Sequence, residues 1–151
     1  MNIWTDEWDA TDDWSGGGGK SKRLVDRGPQ LGASLYELGP GNSNVYHFHH
    51  GSEELLIALR GRLTLRGPEG ERQLDEGEVV HFPVGPEGAH GLRNDTADPV
   101  RYVVAGIRVS PKVVEYPDVK KITAQARTES QTGERLWLIH DVETDADSPK
   151  T

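Results

Sequence analysis

The sequence predicts an all-β barrel or sandwich, and three observations carry that reading. Apolar residues come in short or alternating runs, turn-forming residues separate the runs, and no stretch sustains the 3.6-residue period of a long helix. The composition agrees: 18 Gly, 9 Pro and only 34% hydrophobic residues in a chain of 151. Such a balance suits many short strands joined by tight turns. The length is that of one domain able to bury a real core.

Strands are expected near 31–38, 44–49, 54–59, 62–66, 71–74, 78–82, 89–94 and 100–109. Between them lie turns of suitable chemistry: Gly39-Pro40-Gly41-Asn42, Arg60-Gly61, Gly67-Pro68-Glu69-Gly70, Asp75-Glu76-Gly77 and Asn94-Asp95. In Arg62-Leu63-Thr64-Leu65-Arg66 the two leucines share one face and the polar residues the other. Val113-Val114-Glu115-Tyr116-Pro117-Asp118 reads as an edge strand ended by its proline. Residues 119–133 read as a polar loop, and Arg135 to His140 as a late strand before an acidic, disordered end.

Three regions follow: an N-terminal arm (1–20), a barrel (21–118) and a C-terminal extension (119–151). The arm carries Trp4, Trp8 and Trp14 and ends in Gly16 to Gly19, a flexible joint. Three tryptophans are too apolar for a purely solvated tail, so the arm is expected to pack onto a groove or a neighbouring subunit.

Net charge is -8, which argues against nucleic acid or an anionic bilayer as partner. Asp6, Glu7, Asp9, Asp12 and Asp13 precede the first basic residue, Lys20, and Asp141, Glu143, Asp145 and Asp147 sit near the other end. Without cysteine, disulfides, thiolate metal sites and cysteine nucleophiles are excluded. No segment approaches the ~20 apolar residues that cross a bilayer, and no leader pattern opens the chain, so a cytoplasmic location is expected.

The chemistry concentrates in Val45-Tyr46-His47-Phe48-His49-His50-Gly51-Ser52-Glu53-Glu54. Side chains alternate along a strand, so His47 and His49 point one way, while His50 points the other way or leaves the strand. Two imidazoles on one face converge on a point that suits a metal bonded at about 2.0–2.1 Å. Glu54 opens the next strand and brings a carboxylate towards the same point. His90, after the loop Pro83-Val84-Gly85-Pro86-Glu87-Gly88, is the best fourth donor. Three imidazoles and a carboxylate leave one or two positions open on Fe, Mn, Ni, Co, Cu or Zn.

The spacing resembles the two motifs of the cupin superfamily. Gly41, five residues, His47, one, His49, four, Glu54, six and Gly61 fit the first motif without a gap. Gly77, five residues, Pro83-Val84-Gly85, later His90, three residues and Asn94 resemble the second, although four residues rather than two separate Gly85 from His90. Glu53 competes with Glu54 for the ligand role, and the count to Gly61 favours Glu54. The wording around the motifs is similar to that of small single-domain bacterial and archaeal cupins.

That resemblance implies a double-stranded β-helix (a jelly-roll barrel), often a homodimer, with one divalent metal ion in the barrel mouth. It also implies a small-molecule ligand or substrate. The leading expectation is a metal-dependent enzyme of oxygenase or isomerase type acting on a small polar molecule. The alternative is a non-catalytic module that binds a sugar or organic acid. Asn94, His81, His50, His140, Tyr36, Tyr46 and Tyr102 are expected in structural or surface roles, and no general base is assigned.

Overall fold

The computed structural model describes residues 2–11, 18–25, 29–130 and 132–142. Trp14, Gly16, Gly17 and the acidic end from 143 lie outside them. Thirteen strands follow one another along the described chain: β1 (Ala10–Thr11), β2 (Gly19–Arg23), β3 (Leu31–Leu38), β4 (Phe48–His49), β5 (Glu54–Arg60), β6 (Leu63–Gly67), β7 (Gly70–Leu74), β8 (Val79–Phe82), β9 (Gly91–Arg93), β10 (Val100–Ile107), β11 (Lys112–Tyr116), β12 (Lys121–Glu129) and β13 (Arg135–Asp141). The only helical pieces among described residues are single 3₁₀ turns at Pro86–Gly88 and Pro117–Val119.

The strands form a six-stranded sheet in the order β1-β2-β3-β10-β5-β8, a four-stranded sheet β13-β12-β11-β4 and a three-stranded sheet β7-β6-β9, all antiparallel. Two isolated bridges, Ser43 to Arg93 and His47 to His90, link the β4 end of the second sheet to the β9 end of the third. The two smaller sheets thereby make one curved wall opposite the six-stranded sheet, the arrangement of a double-stranded β-helix. The expected fold class holds.

The strand parity explains the core. Leu56 and Ala58 of β5, Leu63 and Leu65 of β6, and Val100 and Tyr102 of β10 join one buried cluster with Leu38, Leu74, Phe82 and Leu92. Each buried aliphatic side chain contributes about 1.5–3 kcal/mol relative to an exposed one. Gly61, between β5 and β6, lies at φ 76°, and a Cβ there would stand 2.8 Å from Val100 Cγ1. A glycine is required there on both counts.

On the opposite face of β3 and β10 the parity would leave Arg101 and Glu37 to solvent, yet both are buried. They are cross-strand partners. Arg101 Nη2 donates to Glu37 Oε2 at 2.6 Å, and its other donors reach the N-terminal arm at Ile3 O (3.2 Å) and Thr5 O (3.0 Å). Its guanidinium stacks over Trp8, and that of Arg60 over Trp4. The described part of the arm therefore packs on its own barrel, with tryptophan faces laid on arginines.

The structure differs from expectation in several places. Residues 112–116 are not an edge: β11 pairs with both β12 and β4. The expected loop at 119–133 is largely the strand β12, whose alternation of Ile122, Ala124 and Ala126 with polar residues is apolar too weakly to stand out. The strand expected over 44–49 is regular only at Phe48–His49, with Ser43 and His47 held by single bridges. The basic segment 19–23, not expected as a strand, is β2, paired along its length with β3. The late strand is present as β13 at a sheet edge, with Leu136, Trp137, Leu138 and Ile139 about half exposed.

Candidate metal centre

The site is assembled where the walls meet. His49 lies on β4, Glu54 opens β5, His47 precedes β4, and His90 precedes β9. Glu54 has the inward parity of Leu56 and Ala58, which places its carboxylate in the barrel and that of Glu53 outside. The exposed Glu53 accepts from His81 Nε2 at 3.2 Å. The count to Gly61 therefore selected the inward-facing glutamate.

His47 and His90 are fixed to each other by a pair of backbone hydrogen bonds, His47 N to His90 O (3.0 Å) and His90 N to His47 O (2.9 Å). The longer loop before His90 does not displace it. Its extra residues are taken up in the 3₁₀ turn at Pro86–Gly88. Gly88 packs so closely beneath Pro83 that a Cβ would fall 1.8 Å from the Pro83 carbonyl oxygen. The His90 ring stacks on Phe82 of the core, centroids 3.7 Å apart at 11°.

Each of these two imidazoles is oriented through one nitrogen. His47 Nδ1 donates to Val45 O at 2.8 Å and His90 Nδ1 to Gly88 O at 2.9 Å. A carbonyl only accepts, so the proton is on Nδ1 and the Nε2 lone pair is left for another partner. Metal-ligating histidines are commonly oriented in this way, by a backbone carbonyl on the far nitrogen.

His49 is buried, and neither of its ring nitrogens has a hydrogen-bond partner. Its Nε2 lies 3.1 Å from Glu54 Oε2 but off the line a hydrogen bond requires. Buried imidazole nitrogens without partners are costly. Among the described residues, His47, His49 and Glu54 bring one candidate ligand atom each within 4.8 Å of one another. His90 Nε2 stands 3.5 Å from the same Glu54 oxygen, and its ring is 4.6 Å from that of His47 but 6.4 Å from that of His49. The donors are nitrogen and oxygen only, the set that suits divalent first-row metals.

Electrostatics favour the metal-ready protonation states. Burial and the neighbouring His90 push His47 down to about 4, and burial lowers His90 as well. Burial alone would raise Glu54. The nearby His49, together with the charges of Lys112 and His90, outweighs it and holds the carboxyl at about 2. At neutral pH the two imidazoles are neutral and the carboxylate is ionised.

The four residues line a cavity of 320 Å³ with Tyr36, Asn44, Tyr102 and Lys112 among its other walls. Tyr36 and Tyr102 stack at 5.3 Å, and burial raises the Tyr102 phenol well above its usual value, so it remains neutral. Asn44 Oδ1 accepts from Leu92 N at 2.6 Å. Lys112 and Asn44 were not anticipated, since nothing in their local sequence marks them and only the barrel closure brings them to the site.

The other histidines are elsewhere. His50 is exposed and paired with Glu115 at 2.9 Å, and His140 is on the exposed edge strand. Asn94 is fully buried and holds its own turn, donating to Leu38 O and Asp98 O and accepting from Thr96.

A double-stranded β-helix with imidazoles and a carboxylate in its mouth defines a class of metal-site barrels. Residues 34–106 match the Cupin domain family, and solved structures of the cupin superfamily share the chain's fold. A sugar phosphate isomerase of the cupin superfamily from Silicibacter pomeroyi is 27% identical, with a TM-score of 0.70 over 89% of this chain and 81% of that one. A candidate sugar phosphate isomerase from Acidithiobacillus ferrooxidans is 29% identical, with a TM-score of 0.70 over 88% and 80%. A Cupin 2 conserved barrel domain protein from Salinispora arenicola is 26% identical, with a TM-score of 0.52 over 60% and 76%. No curated protein matches the chain significantly.

Proposed function

We propose that this cupin is a divalent-metal-dependent enzyme of isomerase type, acting on a small hydroxy-carbonyl compound. The observation that carries the reading is His49, a buried imidazole with both nitrogens unpartnered, standing beside Glu54 and His47. His47, His49, Glu54 and His90 would hold the ion. The ion would polarise a carbonyl and its neighbouring hydroxyl, which eases loss of the proton between them.

The remaining work falls to the chain. The Val45 and Gly88 carbonyls keep the His47 and His90 lone pairs directed inward. Phe82 backs His90. Tyr102, kept neutral by burial, lines the same cavity and would be a proton donor there rather than an anion. The names of the two neighbours at 27% and 29% identity favour isomerisation over oxygenation.

The test combines metal analysis with exchange chemistry. Protein isolated without added metal should carry about one divalent ion per chain, and His49→Ala should lose it while remaining folded. Aldoses, ketoses and their phosphates in D₂O should exchange the proton next to the carbonyl only with metal-loaded protein. Tight binding of such a ligand without exchange would support the non-catalytic binding module instead. A folded protein that takes up no divalent ion would refute the metal reading outright.

A further inference from the structure

A second cavity, of 290 Å³, adjoins the metal pocket and shares Tyr36, Glu54, Val104 and Lys112 with it, so the two form one trough. Among the described residues its lining holds more cations than carboxylates, although the chain is acidic. Arg23, Arg108 and Lys112 line it, and among the described residues its one carboxylate is Glu54, which stands 3.1 Å from His49 Nε2 and 3.5 Å from His90 Nε2. The whole chain carries -8. We infer that this cavity is a subsite for a phosphate monoester, gripping the phosphoryl end of a substrate whose oxygens reach the metal pocket.

The geometry is that of a built cradle. Arg108 is anchored at two points: its backbone N–H donates to Gln30 O at 2.6 Å and its Nη2 to Val25 O at 3.3 Å. Its stem crosses Gly32, where a Cβ would stand 3.1 Å from Arg108 Nε. Gly106 passes so close to Glu53 and Glu54 that a Cβ would lie 2.7 Å from the Glu53 carbonyl oxygen. Gly32 and Gly106 thus leave space that a Cβ would fill, and Ser34 and Ser52 share the lining with the three cations.

Lys112 lies at the junction of both cavities, and its charge is felt by Glu54 and by His90. Among the described residues no carboxylate comes within ion-pair distance of it. A carboxylate ligand is satisfied by one bidentate arginine, whereas three cations around one cavity match a dianion with three peripheral oxygens. A local basic trough also attracts anions to a protein that otherwise repels them.

This inference rests on the proposed isomerase only for which end of the substrate lies where, and the subsite can be tested apart from it. The full chain, freed of metal by chelation, is titrated with inorganic phosphate, glycerol phosphate, glycerol and lactate. Calorimetry and backbone amide NMR follow binding. Phosphate and glycerol phosphate should compete, shift the amides of Gly32, Ser34 and Gly106, and outbind lactate, while glycerol does nothing. Arg108→Gln and Lys112→Gln, each with an unchanged melting temperature, should weaken phosphate roughly tenfold or more.

Equal affinity for lactate would overturn the phosphate assignment. Unchanged affinity in both variants, shifts centred on the three imidazoles, or no binding at millimolar phosphate would overturn the subsite. If phosphate behaves as stated but no divalent ion binds, the isomerase reading falls and the subsite stands. If the ion binds and phosphate does not, only the subsite falls.

Discussion

Replacing Arg101 by Met should cost about 3 kcal/mol and loosen the N-terminal arm. The guanidinium is only 1% exposed. Removing it leaves Glu37, itself buried, without its 2.6 Å partner and releases the Ile3 and Thr5 carbonyls. Breaking a buried ion pair from one side costs about 3–5 kcal/mol. The lower end applies because Lys20 Nζ still holds Glu37 Oε1 at 2.8 Å and the freed carbonyls can take water. The Asp6 contact adds little, since that carboxylate is almost fully exposed. For a chain of this size, about 3 kcal/mol is roughly 6–12 °C in Tm. Urea and thermal unfolding, with limited proteolysis of the arm, measure it.

The pH dependence makes the prediction sharper. Burial would raise the Glu37 carboxyl, but Lys20 and Arg101 outweigh it and hold it below the ordinary 4.5. Its ionised form therefore contributes stability that is complete above the unfolded value and is lost as pH falls through the folded one. In Arg101→Met only Lys20 remains to hold the carboxylate ionised while the burial persists, so protonation relieves the variant more than the wild type. Its deficit should be largest at neutral pH and shrink as pH falls towards 4. Adding Glu37→Gln to the variant should recover part of the loss. A deficit under 1 kcal/mol, or one that grows on acidification, would show that Arg101 and Glu37 do not act as a pair.

Three further outcomes are expected. Saturating Ni²⁺ or Mn²⁺ at one hundred times its Kd should stabilise the native protein by about 2.7 kcal/mol; His49→Ala should abolish that gain, and Glu53→Gln, altering an exposed carboxylate, should retain it, both read by thermal shift. Gly88→Ala forces a Cβ to 1.8 Å from the Pro83 carbonyl oxygen, so it should lower stability by about 1–3 kcal/mol and weaken metal binding by displacing His90, read by unfolding and calorimetry. Asn94→Ala removes a buried amide that bridges Leu38, Thr96 and Asp98 and should cost about 1–3 kcal/mol by urea unfolding, with metal affinity retained.

Much of the fold was legible because period-2 patterning and turn chemistry are local signals. Leu63 and Leu65, the Arg60-Gly61 turn and the strand over 31–38 needed no tertiary information. The convergence of His47, His49 and Glu54 was legible for related reasons: parity put the two imidazoles on one side, and the count to Gly61 picked Glu54 over Glu53. What was hidden depends on contacts between distant segments. β12 is weakly apolar and becomes a strand because β11 and β13 flank it. β11 looked like an edge because its second neighbour, β4, lies more than sixty residues away. Lys112, Arg23 and Arg108 look like ordinary surface cations until the barrel closes around one trough.

The four site residues also tie together elements that are otherwise joined by few hydrogen bonds. His49 belongs to the four-stranded sheet, Glu54 to the six-stranded one, and His90 abuts the three-stranded one. An ion held there would act as a rivet through all three, and unfolding would have to shear it before any wall could peel away. Metal occupancy should then slow unfolding more than it speeds folding. The lifetime of the native barrel becomes a record of whether its mouth is filled.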